Sequence, residues 1–183
     1  MMKDPFGRGL VAGLAGVLTI NAVEFLLMYL NLSETPLWQA GGIVFLTESA
    51  LQTPLGIAIG IFSHVFIAIV LGIIIAYYIH YTDVDFAILK GVGLSLIAGF
   101  IVLTIIFPFR GLAADMQSSP GDVLSALIDH TVFGALAGFI IKYLQVRDDQ
   151  KDNVPESQVN YVRFSPHPHS ETKKTIFKKP KKI

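Results

Sequence analysis

The chain has 183 residues, of which 52% are apolar and only 15% are charged, whereas soluble domains carry about a quarter charged residues. Residues 146–183 hold nine Lys/Arg and five Asp/Glu, whereas residues 1–145 hold five Lys/Arg and nine Asp/Glu. The formal net charge of zero therefore combines an acidic body with a basic tail. This balance gives no reason to expect a nucleic-acid partner. The absence of cysteine excludes disulfides, thiol catalysis, thiolate metal sites and iron–sulfur clusters.

Four apolar stretches are each long enough to cross the hydrocarbon core of a bilayer, which takes roughly 20 residues. They span residues 9–32, 54–78, 91–109 and 123–144. The first stretch is too long for the apolar core of a signal peptide, and no small-x-small cleavage site follows it. We therefore expect an all-α polytopic membrane protein whose four transmembrane helices form one domain, residues 1–145.

The basic residues near the spans predict the orientation of the chain. They lie before the first span, between the second and third, and at the end of the fourth: Lys3, Arg8, Lys90, Lys142 and Arg147. The connection 33–53 has no Lys or Arg, and the connection between the third and fourth spans has only Arg110. Because cytoplasmic loops carry the excess of Lys and Arg, both termini should be cytoplasmic.

The connection 33–53 is itself fairly apolar, but it is too short to span the membrane. It contains the single tryptophan, Trp38, a residue type enriched at the membrane interface. Two interpretations stay open. The segment is either interfacial or partly re-entrant and covers the outer mouth of the bundle, or it is an ordinary loop packed on the helix ends.

Residues 146–183 form a polar tail, which we expect to be disordered and cytoplasmic. Six lysines fall within residues 173–182. Each lysine near an anionic lipid surface contributes about 1 kcal/mol of attraction, so the inner leaflet is the expected partner. The alternative is a solubilising tail without any partner.

An internal repeat relates the second and fourth spans. One constant shift along the chain superposes Pro54 on Pro120, His64 on His130 and Gly72 on Gly138 without a gap. The first and third spans share only a glycine-rich opening, in which Gly9, Gly13 and Gly16 are set against Gly91, Gly93 and Gly99. The pattern predicts two helix hairpins that run in the same sense, related by an axis along the membrane normal, as in parallel-repeat transporters.

Both repeat histidines interrupt rows of small residues spaced four apart, which share one helix face. The glycines of these rows are predicted helix-packing positions: Gly56, Gly60, Gly72, Gly134 and Gly138. Small residues let helix backbones approach closely, so they mark contacts between helices rather than lipid-facing surfaces. His64 and His130 should therefore point into protein, each ten residues and about 15 Å beyond its proline.

Polar residues inside the spans are the candidate functional residues, because ionisable groups at membrane depth are costly and face the bundle interior. The predicted polar cluster comprises Asn21, Glu24, His64, Asp129 and His130, supported by Ser63, Thr104 and Thr131. Adjacent Asp129 and His130 point about 100° apart on a helix and can serve different neighbours.

Three interpretations of the histidines stay open. They hydrogen-bond across helix contacts and stabilise the bundle, or they form a proton or ion site beside Glu24 or Asp129. The third interpretation is b-type haem with His64 and His130 as axial ligands, a cofactor that needs no cysteine attachment motif. The motifs of nucleotide-binding, zinc-hydrolase and serine-hydrolase sites are missing, so we predict no catalytic residue and no metal site.

The repeat element, HVFIAIVLGIIIAYY and HTVFGALAGFIIKYL, resembles a pattern in small bacterial inner-membrane proteins of unknown function, in which a His-aromatic-Gly run leads to a glycine and then a tyrosine. In the second span Ala68 replaces the first of those glycines. The resemblance implies a bacterial plasma-membrane location and no particular reaction.

The leading expectation is a transport-associated or accessory membrane protein acting as a homodimer or with a membrane partner. The alternatives are a membrane redox protein with haem and a structural subunit.

Overall fold

The computed structural model describes residues 4–109 and 119–152, and every regular element in those ranges is helical. The helices are α1 (Pro5–Tyr29), α2 (Leu37–Gly42), α3 (Glu48–Leu51), α4 (Pro54–Thr82), α5 (Ala87–Ile101), α6 (Phe107–Phe109) and α7 (Pro120–Asp152), and a π-helical turn, Val102–Ile106, joins α5 to α6. One compact unit ends at Asp149 and a second begins at Gln150, of which only the first three residues are described.

Four of the helical segments are long and apolar enough to cross a membrane, which confirms the predicted all-α class and the predicted number of spans. They are Pro5–Tyr29, Pro54–Thr82, Ala87–Phe109 and Pro120–Asp148. Large apolar side chains also cover the outside of the bundle; Leu18 is 73% exposed and Phe25 is 75% exposed. Soluble monomers rarely present so much apolar surface to water, so this exterior is compatible with an integral membrane protein.

Three of the four long helices begin with the same local signal, a capping residue followed by proline. The Asp4 carboxylate accepts a hydrogen bond from the Phe6 amide (3.0 Å), and the Thr53 hydroxyl accepts one from the Gly56 amide (3.1 Å). Ser119 stands before Pro120 and accepts from the Asp122 amide (3.3 Å). These side chains satisfy amides that have no partner within the helix, and proline suits the first helical turn because its missing N–H is not needed there.

The last helix, α7, continues through the predicted boundary at residue 145 and ends at Asp152. Near its end, Asp148 forms an ion pair with Arg8 of α1, with 3.5 Å between guanidinium nitrogen and carboxylate oxygen, and both residues are buried. Buried charges persist only when paired, which explains why helical packing extends into the charged sequence. The lysine-rich part of the tail lies outside the described residues.

The long helices form two closely packed pairs. Along α1 and α4, a Cβ atom built on Gly72 would lie 2.6 Å from the carbonyl oxygen of Gly9, and one built on Gly13 would lie 2.7 Å from the Cα atom of Ile69. Along α5 and α7, a Cβ atom built on Gly134 would lie 2.7 Å from the Cα atom of Val92. Backbone contacts this close exclude any side chain, so glycine is required at these positions.

Helices α2 and α3, which form most of the connection 33–53, pack against the first half of α4. A Cβ atom on Gly41 would lie 2.8 Å from the Cβ atom of His64, and one on Gly60 would lie 2.7 Å from the carbonyl oxygen of Trp38. The connection therefore extends along α4 as far as His64, ten residues beyond the start of that helix. This packing supports the partly re-entrant interpretation over that of a loop confined to the helix ends.

The third span is not regular α-helix throughout, because the π turn interrupts it. Pro108 is the physical reason, because proline lacks an N–H and its ring clashes with the carbonyl four residues earlier, that of Thr104. The turn widens instead, and the Phe107 amide bonds the carbonyl of Val102, five residues back. Phe107 is buried beside Ile43 and Leu51, so this turn also contacts the connection between α1 and α4.

The turn between α4 and α5 is tight and polar. Asp83 and Phe86 both have positive φ angles, 89° and 55°. The Lys90 ammonium donates hydrogen bonds to the carbonyls of Thr82 and Asp83 and to the Asp83 carboxylate (2.9 Å). The last of these bonds holds the pKa of Asp83 below its ordinary value. Lys90 thereby caps the carbonyl end of α4, as cations commonly do.

Candidate functional site

His64 lies near the middle of α4 and contacts α1. Its Nε2 atom is 3.3 Å from the side-chain nitrogen of Asn21, which also donates to the carbonyl of Val17 (2.6 Å). The bond to Val17 identifies the atom facing His64 as the amide nitrogen, which can only donate. Nε2 of His64 therefore accepts, which leaves the ring neutral and its proton on Nδ1.

His130 occupies the corresponding place on α7 and contacts α5. Its Nδ1 atom is 3.1 Å from the hydroxyl of the fully buried Ser95. Gly99, one turn further along α5, lies so close to the ring that a Cβ atom there would be 2.8 Å from Nε2. A hydroxyl can donate or accept, so this contact orients the ring without fixing its tautomer.

The two imidazoles line one cavity of about 140 Å³, which we call the histidine cavity. Its walls come from α1, α2, α4, α5, the π turn, α6 and α7, and its polar lining is His64, Asp129 and His130. The remaining lining is mostly apolar and includes Ile67, Leu71, Leu103, Phe107 and Phe133. Thus the structure brings three of the five predicted cluster residues to the same internal space.

Asp129 is the least satisfied of the three polar residues. It is only 3% exposed, and neither carboxylate oxygen has a hydrogen-bond partner among the described residues. Glu24 and Ser125 lie within hydrogen-bonding range of it. The Ser125 hydroxyl, however, donates to Glu24, and two carboxyl groups form a hydrogen bond only when one of them is protonated. A buried carboxylate without donors is costly to leave in place, and such groups need a functional or structural explanation.

Glu24 of α1 lies beside Asp129 and is itself held from two sides. Its Oε1 atom accepts a hydrogen bond from the Ser33 hydroxyl (2.5 Å), and its Oε2 atom accepts one from the Ser125 hydroxyl. All three residues are buried. Asn21 and Glu24 are three residues apart and share a face of α1 by helical spacing. Asn21 is nevertheless exposed and contacts His64, so the two residues serve different parts of the site.

A series of acidic side chains leads from Glu24 to the connection between α1 and α4. The Ser33 hydroxyl also lies 3.1 Å from the carboxylate of Asp122, which accepts from the Glu34 amide (2.8 Å) and the Thr35 hydroxyl (2.9 Å). Ser33 has one hydroxyl hydrogen for two carboxyl oxygens, so it donates fully to only one of them at a time. Asp122, Glu24 and Asp129 thus form a continuous acidic chain, which ends at the histidine cavity.

The side chains that were expected to support the cluster do not reach it. The hydroxyls of Ser63, Thr104 and Thr131 each donate to a carbonyl four residues earlier in their own helix. Hydroxyls in helices commonly form this bond, which satisfies them locally.

The sequence analysis missed three serines that contact the cluster, Ser33, Ser95 and Ser125, and Asp122, which is linked to it through Ser33. A helical signal was available for two of them, because Asp122, Ser125 and Asp129 follow one another at spacings of three and four and share a face. No comparable signal indicated Ser33 or Ser95, since each belongs to a different segment from the residue that it contacts.

The predicted packing glycines have two kinds of neighbour. Gly72 contacts α1, and Gly134 and Gly138 contact α5. Gly56 and Gly60 instead contact α3 and Trp38 of α2, so the first half of the small-residue row on α4 faces the connection and not another long helix.

Within residues 4–109 and 119–152, no group of three or more acidic or histidine side chains has the arrangement of a metal site.

Comparisons with known proteins do not assign this chain to a family. No protein-family model matches the chain, and neither a curated protein nor a solved structure matches it.

Proposed function

We propose that this chain is a transport-associated protein of the bacterial plasma membrane that binds a small solute in the histidine cavity. The observation that carries the proposal is the cavity itself, in which His64, His130 and the unpartnered Asp129 meet among apolar walls. Binding sites are typically apolar concavities with a few converging polar groups, and ionisable residues inside membrane bundles line solute and ion pathways. No catalytic residue is part of the proposal.

The two helix pairs support a hairpin-repeat architecture for this transporter-like bundle. Gly72 contacts Gly9 as Gly138 contacts Ala87, and Ala68 contacts Gly13 as Gly134 contacts Gly91. The constant shift that relates α4 to α7 is therefore matched by a second constant shift that relates α1 to α5. This pairing corrects the one drawn from the glycine-rich openings of the first and third spans, since it sets Gly9 against Ala87 and Gly13 against Gly91.

The proposed orientation has both termini and the α4–α5 turn in the cytoplasm and the connection 33–53 outside, since basic residues accumulate on the cytoplasmic side. The lysine-rich tail would then meet anionic lipid of the inner leaflet. A second copy of the chain or another membrane protein would complete the transport assembly.

Cysteine labelling tests the orientation, because the chain has no cysteine of its own. In intact cells, a membrane-impermeant thiol reagent should label Glu48→Cys, in the connection, and should leave Asp85→Cys, in the α4–α5 turn, unlabelled. Both positions are exposed in the structure, so accessibility differs only through the membrane. Labelling of Asp85→Cys alone would reverse the proposed orientation.

The same reagent tests access to the cavity. Ala126→Cys lies on the cavity wall, and Leu124→Cys, two residues away on α7, faces outward and serves as the matched control. In reconstituted vesicles exposed to reagent on both sides, Ala126→Cys should react and Leu124→Cys should not, because only the cavity admits water. If Ala126→Cys stays unreacted throughout, the cavity is sealed, and the structural-subunit alternative replaces the transport proposal.

The haem alternative is less well supported. Benzene occupies a cavity of about 150 Å³, so a space of about 140 Å³ accepts one small ring and not the four pyrrole rings of a haem. Nε2 of His64, a nitrogen through which an imidazole could bind iron, already accepts from Asn21. Both observations favour a small solute over haem, and an absorbance spectrum of the purified protein without a Soret band would eliminate the haem alternative.

A further inference from the structure

We infer that the solute of the histidine cavity is a small protonated amine, with Asp129 as its counter-ion. This inference rests on the proposed function and specifies its substrate class. The starting point is charge: Asp129 lines the cavity, is only 3% exposed, and receives no hydrogen bond from any described residue. A carboxyl group in that position is neutralised either by a proton or by a positive partner with N–H groups to donate, and a cationic solute would take the place of the proton.

The described part of the chain does not supply that partner. The two ion pairs found there join Arg8 to Asp148 and Lys90 to Asp83, and neither includes Asp129. His64 shares the cavity but already accepts a bond from Asn21 through Nε2, which keeps that ring neutral. His130 also lines the cavity, but its Nδ1 atom faces Ser95, and no ion pair among the described residues joins it to Asp129. The positive charge would therefore come from the solute.

The neighbouring acids favour a cation further. Glu24 acts on Asp129 electrostatically and is linked through Ser33 to Asp122, so three carboxyl groups converge from the connection toward the cavity. Acidic residues lining a low-dielectric passage raise the local concentration of cations and repel anions. An anionic solute is disfavoured on this ground, although two histidines are present.

The apolar walls exclude a bare metal ion as the preferred cation. Calcium takes six to eight oxygen ligands, and magnesium requires octahedral oxygen coordination. Here the lining beyond the three polar side chains is chiefly aliphatic and aromatic, and no metal-binding group is found among the described residues. An alkylammonium ion suits both the acidic group and the apolar walls. Its ammonium group would face Asp129, while its carbons would contact Leu71, Leu103 and Phe133.

The cavity volume limits the size of this amine. About 140 Å³ is close to the cavity of about 150 Å³ that holds benzene, so a solute of roughly five to seven non-hydrogen atoms fits. Butylamine, butanol and butyrate are matched probes, because they share the alkyl chain and carry a positive, a neutral and a negative head group at pH 7.

The test is calorimetric titration of the purified full-length protein in lipid nanodiscs with the three probes. Butylamine should bind with saturation, whereas butanol and butyrate should not. Asp129→Asn should weaken butylamine binding roughly 10–100-fold, the loss expected for one hydrogen bond to a charged group. Asp85→Asn, which removes an exposed carboxylate of the α4–α5 turn, is the control and should bind like the parent protein.

Asp129→Asn should fold, because the amide has the same size as the carboxyl group and can donate to the neighbouring Glu24 as a protonated carboxyl would. The comparison of the three probes on the unmodified protein needs no variant at all. Equal binding of butanol and butylamine, absence of butylamine binding, or retention of full affinity in Asp129→Asn would each overturn the amine inference. Labelling of Ala126→Cys would in those cases leave the solute cavity of the proposed function standing.

Discussion

The helix pairs α1–α4 and α5–α7 pack their backbones in the same way but surround their histidines differently. In both pairs a glycine two helical turns beyond the histidine, Gly72 or Gly138, contacts the backbone of the partner helix. His64, however, bonds an amide on α1, whereas His130 bonds a hydroxyl on α5. Backbone contact permits only the smallest residues, while many polar side chains can reach an imidazole, so the packing is the more restricted feature.

The acids show a second difference between the pairs. The shift that sets Gly9 on Ala87 also sets Glu24 of α1 on Val102, the first residue of the π turn. The shift that sets His64 on His130 likewise sets Ser63 of α4 on Asp129 of α7. Each pair thus contributes one acid where the other has none. Because Glu24 and Asp129 come from different pairs and lie side by side, the acidic chain exists only when the two pairs are assembled.

The largest expected effect concerns the ion pair that links the two helix pairs. Arg8→Met leaves Asp148 buried without its partner, and removing one member of a buried pair costs about 3–5 kcal/mol of unfolding free energy. Lys90→Met, at the partly exposed pair of the α4–α5 turn, is the comparison and should cost clearly less, because solvent screens that pair. Unfolding in detergent would measure both; equal stability of the two variants would mean that the Arg8–Asp148 contact does not hold the helix pairs together.

A medium effect tests whether the two pairs are packed alike. Gly72→Leu and Gly138→Leu should each lower stability by about 1–3 kcal/mol or more, because a side chain there would push two helix backbones apart. Gly93→Leu is the matched control on α5, since a Cβ atom at Gly93 has no heavy atom within 4 Å. Melting temperatures in detergent provide the measurement. Strong destabilisation in only one pair would contradict the common packing.

The smallest effect concerns the histidine partners. Asn21→Ala and Ser95→Ala each remove one side-chain hydrogen bond between helices, worth about 0.6 kcal/mol in membrane bundles. Both variants should therefore fold, with stability lowered by less than in the glycine variants. A loss as large as that of Gly72→Leu would show that the polar partners, and not the glycines, decide how each pair packs.

Much of the helical architecture could be predicted because its causes are local. Apolar length identified four spans, and proline after a capping residue marks the starts of α1, α4 and α7. The end of α7 could not be located in this way, because Asp148 becomes tolerable inside the bundle only through Arg8, 140 residues away in sequence.

The sequence indicated residues of the candidate site but not the contacts between them. Helical periodicity and the small-residue rows indicated that His64 and His130 face inward, and both line the histidine cavity. The same reasoning assigned Ser63 and Thr131 as supporters, whereas these hydroxyls bond their own helices. Periodicity describes one helix at a time, so it identifies an inward face but not the residue that faces it.

The sequence by itself determined the number of spans, their approximate limits and the inward faces of α4 and α7, because hydrophobicity and helical spacing act over a few turns. Only the tertiary structure decided that Glu24 meets Asp129, that Ser95 reaches His130, and that the connection 33–53 packs against α4 beside His64. Those contacts depend on how the helix pairs dock, and that docking is set by backbone approach and buried charge summed over the whole bundle.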